Sequence, residues 1–129
     1  MRPEDALQTT VASYLDRALP HASWWTATAN GAWLGGDKRR RMIQASRLKR
    51  TGVKSGAPDI IILHDGRFFG IEMKMPGESL TEKQMEAEDQ IAIAGGGFTV
   101  ARSVEDVERY LLEHNFPLRA RITSDRSAS

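Results

Sequence analysis

Three residues carry the strongest chemical signal in this 129-residue chain. Asp59 opens an apolar run, Ile60-Ile61-Ile62-Leu63. Glu72 and Lys74 close a second run that follows it. Charges at the ends of core strands cost free energy unless they are paired or used. Asp65-Gly66 between the runs is a strong hairpin signal and fixes their register. His64 then faces Arg67 and Leu63 faces Phe68, and counting outward sets Asp59 opposite Glu72. Opposed residues share a sheet face with Cβ atoms ~4.5–5.5 Å apart. Strand alternation puts Lys74 on that same face, about 6.6 Å beyond Glu72.

Two carboxylates so close repel each other, and one must take a proton unless a cation intervenes. Hard carboxylate oxygens suit Mg²⁺ or Mn²⁺. Such an ion activates water and stabilises charge on a phosphate, and a lysine beside it can orient that water or offset that charge. The three residue types therefore point to metal-assisted hydrolysis of a phosphodiester. Glu-x-Lys alone is a weak signal, and a surface ion pair is its bland explanation. The preceding Pro58-Asp59, the register and a basic segment upstream raise its weight.

The elements that must hold these residues follow from periodicity. Residues 3–19 predict a helix with Leu7, Val11, Leu15, Ala18 and Leu19 on one face. "WWTAT" (24–28) predicts a strand and "NGAWLGGDK" (30–38) a glycine-rich loop. Residues 40–51 predict a basic helix ending at Gly52. Residues 80–94 predict another helix. Two capping boxes compete for its start, Ser79 with Glu82 and Thr81 with Gln84. "FTVAR" (98–102) predicts a short strand. Ser103 opens a last helix with Val104, Val107, Tyr110 and Leu111 inward. The pattern predicts an α/β domain with a mixed sheet flanked by helices on both faces, and room for about five strands. The domain is expected over 1–116, with 117–129 as a loosely ordered tail.

Net charge is only +1, but residues 38–54 hold eight Lys/Arg and no acid, leaving ten basic and seventeen acidic residues elsewhere. That asymmetry suggests a polyanion-binding segment, with a solvated basic helix as the plain alternative. There are no cysteines, which excludes disulfides and thiolate metal sites. No apolar stretch is long enough for a membrane span and no signal-peptide core follows the N-terminus. The expected location is the cytoplasm.

"SGAPDIIIL" followed by "FFGIEMKMPGESLTEKQ" resembles the VRR-NUC branch of the PD-(D/E)xK nuclease superfamily. "RLKRTGVKSGAPD" is similar to that family's basic helix running into Gly-x-Pro-Asp, and "EDALQ" to its first helix. The resemblance spans about residues 4–112. It implies a restriction-endonuclease-like core of α-β-β-β-α-β type. It implies that Asp59, Glu72 and the Met73 backbone carbonyl bind Mg²⁺ or Mn²⁺ and that Lys74 is catalytic. Glu4 matches an acid that holds a metal water or second ion, and is equally explained as a helix N-terminal acid. Gln84 matches a glutamine that orients Lys74 or the water, and is equally explained as the capping partner of Thr81.

Arg39, Arg40, Arg41, Arg47, Lys49 and Arg50 are candidate DNA contacts, though not all can face one duplex. Lys54 and Ser55 flank Gly56, where the backbone is expected to turn tightly, and are candidate phosphate contacts. Trp24, Trp25 and Trp33 are expected in the core or a dimer interface, Trp33 being the best candidate for stacking on a base. His21, His64 and His114 lack metal-ligand spacing. Compact members of the family, from bacteria and phages, imply a homodimeric endonuclease selective for branched DNA such as Holliday junctions. The alternatives are a non-catalytic DNA-binding module of the same fold, or a nicking, flap or restriction-like nuclease.

Overall fold

The computed structural model describes residues 2–28 and 35–122. Helix α1 (Pro3–Ala18) leads to strand β1 (Trp24–Ala27) and helix α2 (Lys38–Arg50). Strands β2 (Ile60–His64) and β3 (Arg67–Met73) form the hairpin. Helix α3 (Glu82–Ile93), strand β4 (Gly97–Ala101) and helix α4 (Val104–Glu113) complete the order. The described residues form one four-stranded sheet, β1-β2-β3-β4, one strand fewer than the chain length allowed for. The first three strands are antiparallel and β4 runs parallel to β3.

The hairpin has the expected register. His64 pairs with Arg67 and the ladder continues to Ile60 opposite Ile71. Asp65 and Gly66 both take positive φ, 52° and 73°, the twist a two-residue hairpin turn demands. Extending the ladder by one residue places Asp59 opposite Glu72.

Alternation along β3 divides the sheet's two faces. Phe69, Ile71 and Met73 point into the core with Ile60 and Ile62. There they meet Val11, Tyr14, Leu15 and Ala18 of α1 and Val107 and Leu111 of α4. Phe68, Gly70 and Glu72 point to the opposite face, where α3 covers β4. Gly70 has no side chain because the Pro58 ring lies over it. A Cβ there would stand 2.7 Å from the ring.

The competition for the start of α3 resolves at Thr81. Its hydroxyl accepts from the Gln84 amide, and the Gln84 side chain accepts from the Thr81 amide. Ser79 with Glu82 lost because the helix begins two residues later than expected. At α2, Asp37 caps the first turn by accepting from Arg40, so that helix starts earlier than predicted. Ser103 caps α4 as expected.

Trp25 is half-buried against the core, as expected, and donates to Asp16. Trp24 is 57 % exposed on edge strand β1, outside the core, and Trp33 lies outside the described residues. Two further points depart from expectation. Residues 117–122 are not loose. The Arg119 guanidinium donates to the Leu19 and Asp16 carbonyls at the end of α1, and Arg119 N–H to Ala18. Lastly, Glu108 is buried on the inward face of α4 alongside the expected Val107, Tyr110 and Leu111. Its carboxylate accepts from the Ile122 amide and stands beside the Tyr14 hydroxyl, which explains a carboxylate in the core.

Candidate active site

Asp59 lies just before β2, and its placement is heavily determined. Pro58 is wedged on Gly70. Thr28, one residue past β1, donates its hydroxyl to the Pro58 carbonyl at 2.7 Å and its amide to the Asp59 carbonyl at 2.8 Å. The Asp59 carboxylate crosses to β3 and accepts the Met73 amide at 2.8 Å. Thr28 was not singled out from sequence. A threonine after an edge strand carries no local signal for so distant a partner.

Glu72 is 3 % exposed and Lys74 7 %. Gln84 donates to Glu72 Oε1 at 2.9 Å, while Glu72 Oε2 is buried with no hydrogen-bond partner. Burial, first, and then the adjacent Asp59 carboxylate push the Glu72 carboxyl up to about 8, with Lys74 pulling the other way and Glu4 adding to the rise. The charge conflict expected from the hairpin count is thus present in the fold.

This arrangement fits a divalent cation. A buried, unpartnered carboxylate oxygen next to a second carboxylate is an acceptor set without a donor. Among the described residues, no three or more His, Cys, Asp or Glu side chains are grouped to hold a metal ion. Glu4 acts on Glu72 through charge and does not complete such a cluster. Remaining ligands would come from backbone and water, as suits Mg²⁺, which keeps several waters. A cleft of about 250 Å³ opens at Asp59, walled by Met73, Glu4, Asp5, Gln8, Thr28 and Arg2. The Met73 side chain is in the core, so its backbone is what reaches this wall. The N-terminal residues of α1 thus stand beside the carboxylate pair, and Gln8 joins them one turn beyond Glu4.

Loop 54–58 is braced against α3. Gly56 has φ +86°, and a Cβ there would stand 2.3 Å from the Lys83 carbonyl oxygen. Gly56→Ala must strain the loop or push back the turn that carries Gln84. We expect it to cost roughly 2–4 kcal/mol, the sum of left-handed strain and overpacking, in urea unfolding.

The basic segment is separate from the core. No residue of α2 is buried. Arg39, Arg40, Arg41, Arg47, Lys49 and Arg50 are all exposed, as are Lys54 and Ser55. Arg41 donates to the Gly36 carbonyl and Arg50 to Ser46. Of the histidines, His21 is exposed. His64 is paired with Ser23 and stacked on Phe116, and His114 packs against Phe69 and Tyr110.

The VRR-NUC domain family model matches residues 8–105, about three quarters of the chain. The chain belongs to this family of nuclease domains. A solved structure described as a VRR_NUC domain protein is 23 % identical, covers 89 % of this chain and 89 % of its own, and superposes with a TM-score of 0.66. The fold is therefore the α/β restriction-endonuclease-like one. No curated protein matches the sequence. Asp59, Glu72, Lys74 and Gln84 lie within the matched span, and Glu4 lies before it.

Proposed function

We propose that the chain is a divalent-metal-dependent DNA endonuclease. The observation that carries this is the pair Asp59–Glu72 at the open end of the β2–β3 hairpin, with Lys74 acting on Glu72 through charge and one Glu72 oxygen left without a donor. Asp59, Glu72 and the Met73 carbonyl would hold Mg²⁺ or Mn²⁺. When bound, such an ion lowers the pKa of a coordinated water and stabilises charge on a phosphate. Lys74 supplies the ammonium that orients the attacking water or offsets charge on the pentavalent phosphorus. Gln84 steadies Glu72, and Glu4 adds negative potential at the cleft mouth.

The exposed basic helix α2 supplies phosphate contacts, with Lys54 and Ser55 continuing them toward Gly56. Combined Arg47→Ala, Lys49→Ala and Arg50→Ala should weaken binding to every DNA. The slope of log affinity against log salt should shrink by about 0.9 for each lost phosphate contact. An unchanged slope in fluorescence anisotropy removes α2 from the interface.

The preferred substrate is branched DNA, including four-way junctions, cut by a two-fold dimer whose active sites face opposing strands. Trp24 and Leu63, opposed across β1 and β2 and both exposed, supply apolar surface for such a pairing. A panel of junction, flap, splayed arm, single strand and plain duplex tests the preference. Equal cutting of junction and duplex would remove it. Sedimentation that gives a monomer at working concentration would remove the dimer.

A further inference from the structure

We infer that Met42 and Ile43, on the outward side of α2, form an apolar wedge that seats against unstacked bases at the branch point of a DNA substrate. This rests on the branched-DNA reading above and adds to it the surface that tells a branch from plain duplex.

The two side chains are out of place for a core. Gln44 and Leu48 are the half-buried positions of α2. Gln44 donates to the Gly35 carbonyl, so these positions mark the side held to the chain. At ~100° per residue, Ser46 stands opposite them, with Met42 and Ile43 to either side of it. Met42 is 63 % exposed and Ile43 57 %. With Lys38, Arg39, Ser46 and Arg50 they line an open groove of about 540 Å³. Scattered exposed apolar residues are ordinary, whereas an adjoining pair that lines a groove marks a contact site.

Charge selects the occupant. Every ionised side chain lining the groove is cationic. Residues 38–54 contain no acid, and no ion pair among the described residues involves α2. A second copy seated here about a two-fold axis would set α2 against α2, with cations facing cations and no acid between them. A DNA strand satisfies both parts of the surface. Its phosphates meet Lys38, Arg39 and Arg50, and its base faces meet Met42 and Ile43. Met and Ile are among the apolar side chains that proteins insert between base steps. In plain duplex such insertion must first unstack a step. At a branch point the stack is already interrupted, so the same contact costs less there. Phosphate contacts alone do not make this distinction, because every DNA offers them.

The test is the double variant Met42→Gln, Ile43→Gln, which removes the apolar surface and keeps good helix formers at exposed positions. Binding of the full chain to a four-way junction and to duplex of the same sequence is read by fluorescence anisotropy in EDTA, so that no cleavage intervenes. We expect the double variant to lose about tenfold in junction affinity, the scale of burying one such side chain, and to keep wild-type duplex affinity. Arg47→Ala, outside the groove, should weaken both DNAs alike. The fluorescence of 2-aminopurine placed beside the branch should rise with wild type and not with the double variant. The inference is overturned if the double variant keeps the junction preference, or loses as much on duplex as on junction. It is also overturned if sedimentation finds a wild-type dimer that the double variant turns into monomers, because the groove then holds a second copy. Wild type that binds junction and duplex equally removes the branched-DNA reading, and this surface with it, and leaves metal-dependent cleavage standing.

Discussion

Asp59→Asn and Lys74→Ala are expected to lose DNA cleavage by at least two orders of magnitude while keeping the fold. For Lys74 the scale is that of removing one group aimed at charge developing in a transition state, about 10²–10³-fold. Lys74 is 7 % exposed and acts on Glu72 through charge, so no solvent cation replaces it efficiently. For Asp59 the isostere separates chemistry from structure. An asparagine oxygen still accepts the Met73 amide, the bond that ties residue 59 to β3. What is lost is one negative charge facing Glu72. The metal-free variant should therefore melt no lower than wild type, because a repulsion has been removed. DNA affinity measured in EDTA should persist. Wild-type cleavage rates from either variant would show that the paired charges serve stability or solubility and not catalysis.

The second large effect is the dependence of stability on pH and metal. Glu72 sits at about 8 in the fold, against an ordinary carboxyl value of 4.5. Its folded value is raised, so the native protein binds more protons than the unfolded chain between those limits. The contribution of the protonated carboxyl is fully present below about 4.5. It is lost as pH rises through about 8. Metal-free protein should thus lose stability from mildly acidic to mildly alkaline pH, by roughly a few kcal/mol in all. A divalent cation should reverse the trend, since it competes with the Glu72 proton and binds better as pH rises. Melting curves in EDTA and in Mg²⁺ at pH 6, 7 and 8 test both halves. The gap between the curves should widen with pH. A gap that is constant, or that narrows, places the ion elsewhere. Asp59→Asn should flatten the EDTA profile, because the second cause of the raised value is gone.

Much of this site was legible because local rules determine it. Asp65-Gly66 demands a two-residue turn, the turn fixes the register, and the register brings Asp59 to Glu72. None of those steps needs a long-range contact. The capping boxes show where such reading stops. Ser79 with Glu82 and Thr81 with Gln84 are equivalent as local patterns. The second prevails where the Gln84 side chain can also reach Glu72, across twelve residues of sequence. Thr28 and Gly70 were missed for the same reason. Each matters through Pro58, a contact made only after the sheet has formed. Glu108 reads as a surface acid by type and as a core residue by position. Only the returning segment at Ile122 and the Tyr14 hydroxyl reconcile the two. The basic segment was plain as charge, yet only the fold reveals that α2 buries no residue.

The central claim is that the hairpin's paired carboxylates form a divalent-metal nuclease centre. Its most direct test is single-turnover cleavage of an end-labelled four-way junction by the full chain, stripped with EDTA and then titrated with Mn²⁺. No cleavage is expected in EDTA, with a saturable onset in Mn²⁺ that Asp59→Asn lacks. Cleavage that persists in EDTA, or DNA bound tightly and left intact at saturating Mg²⁺ and Mn²⁺, would contradict it.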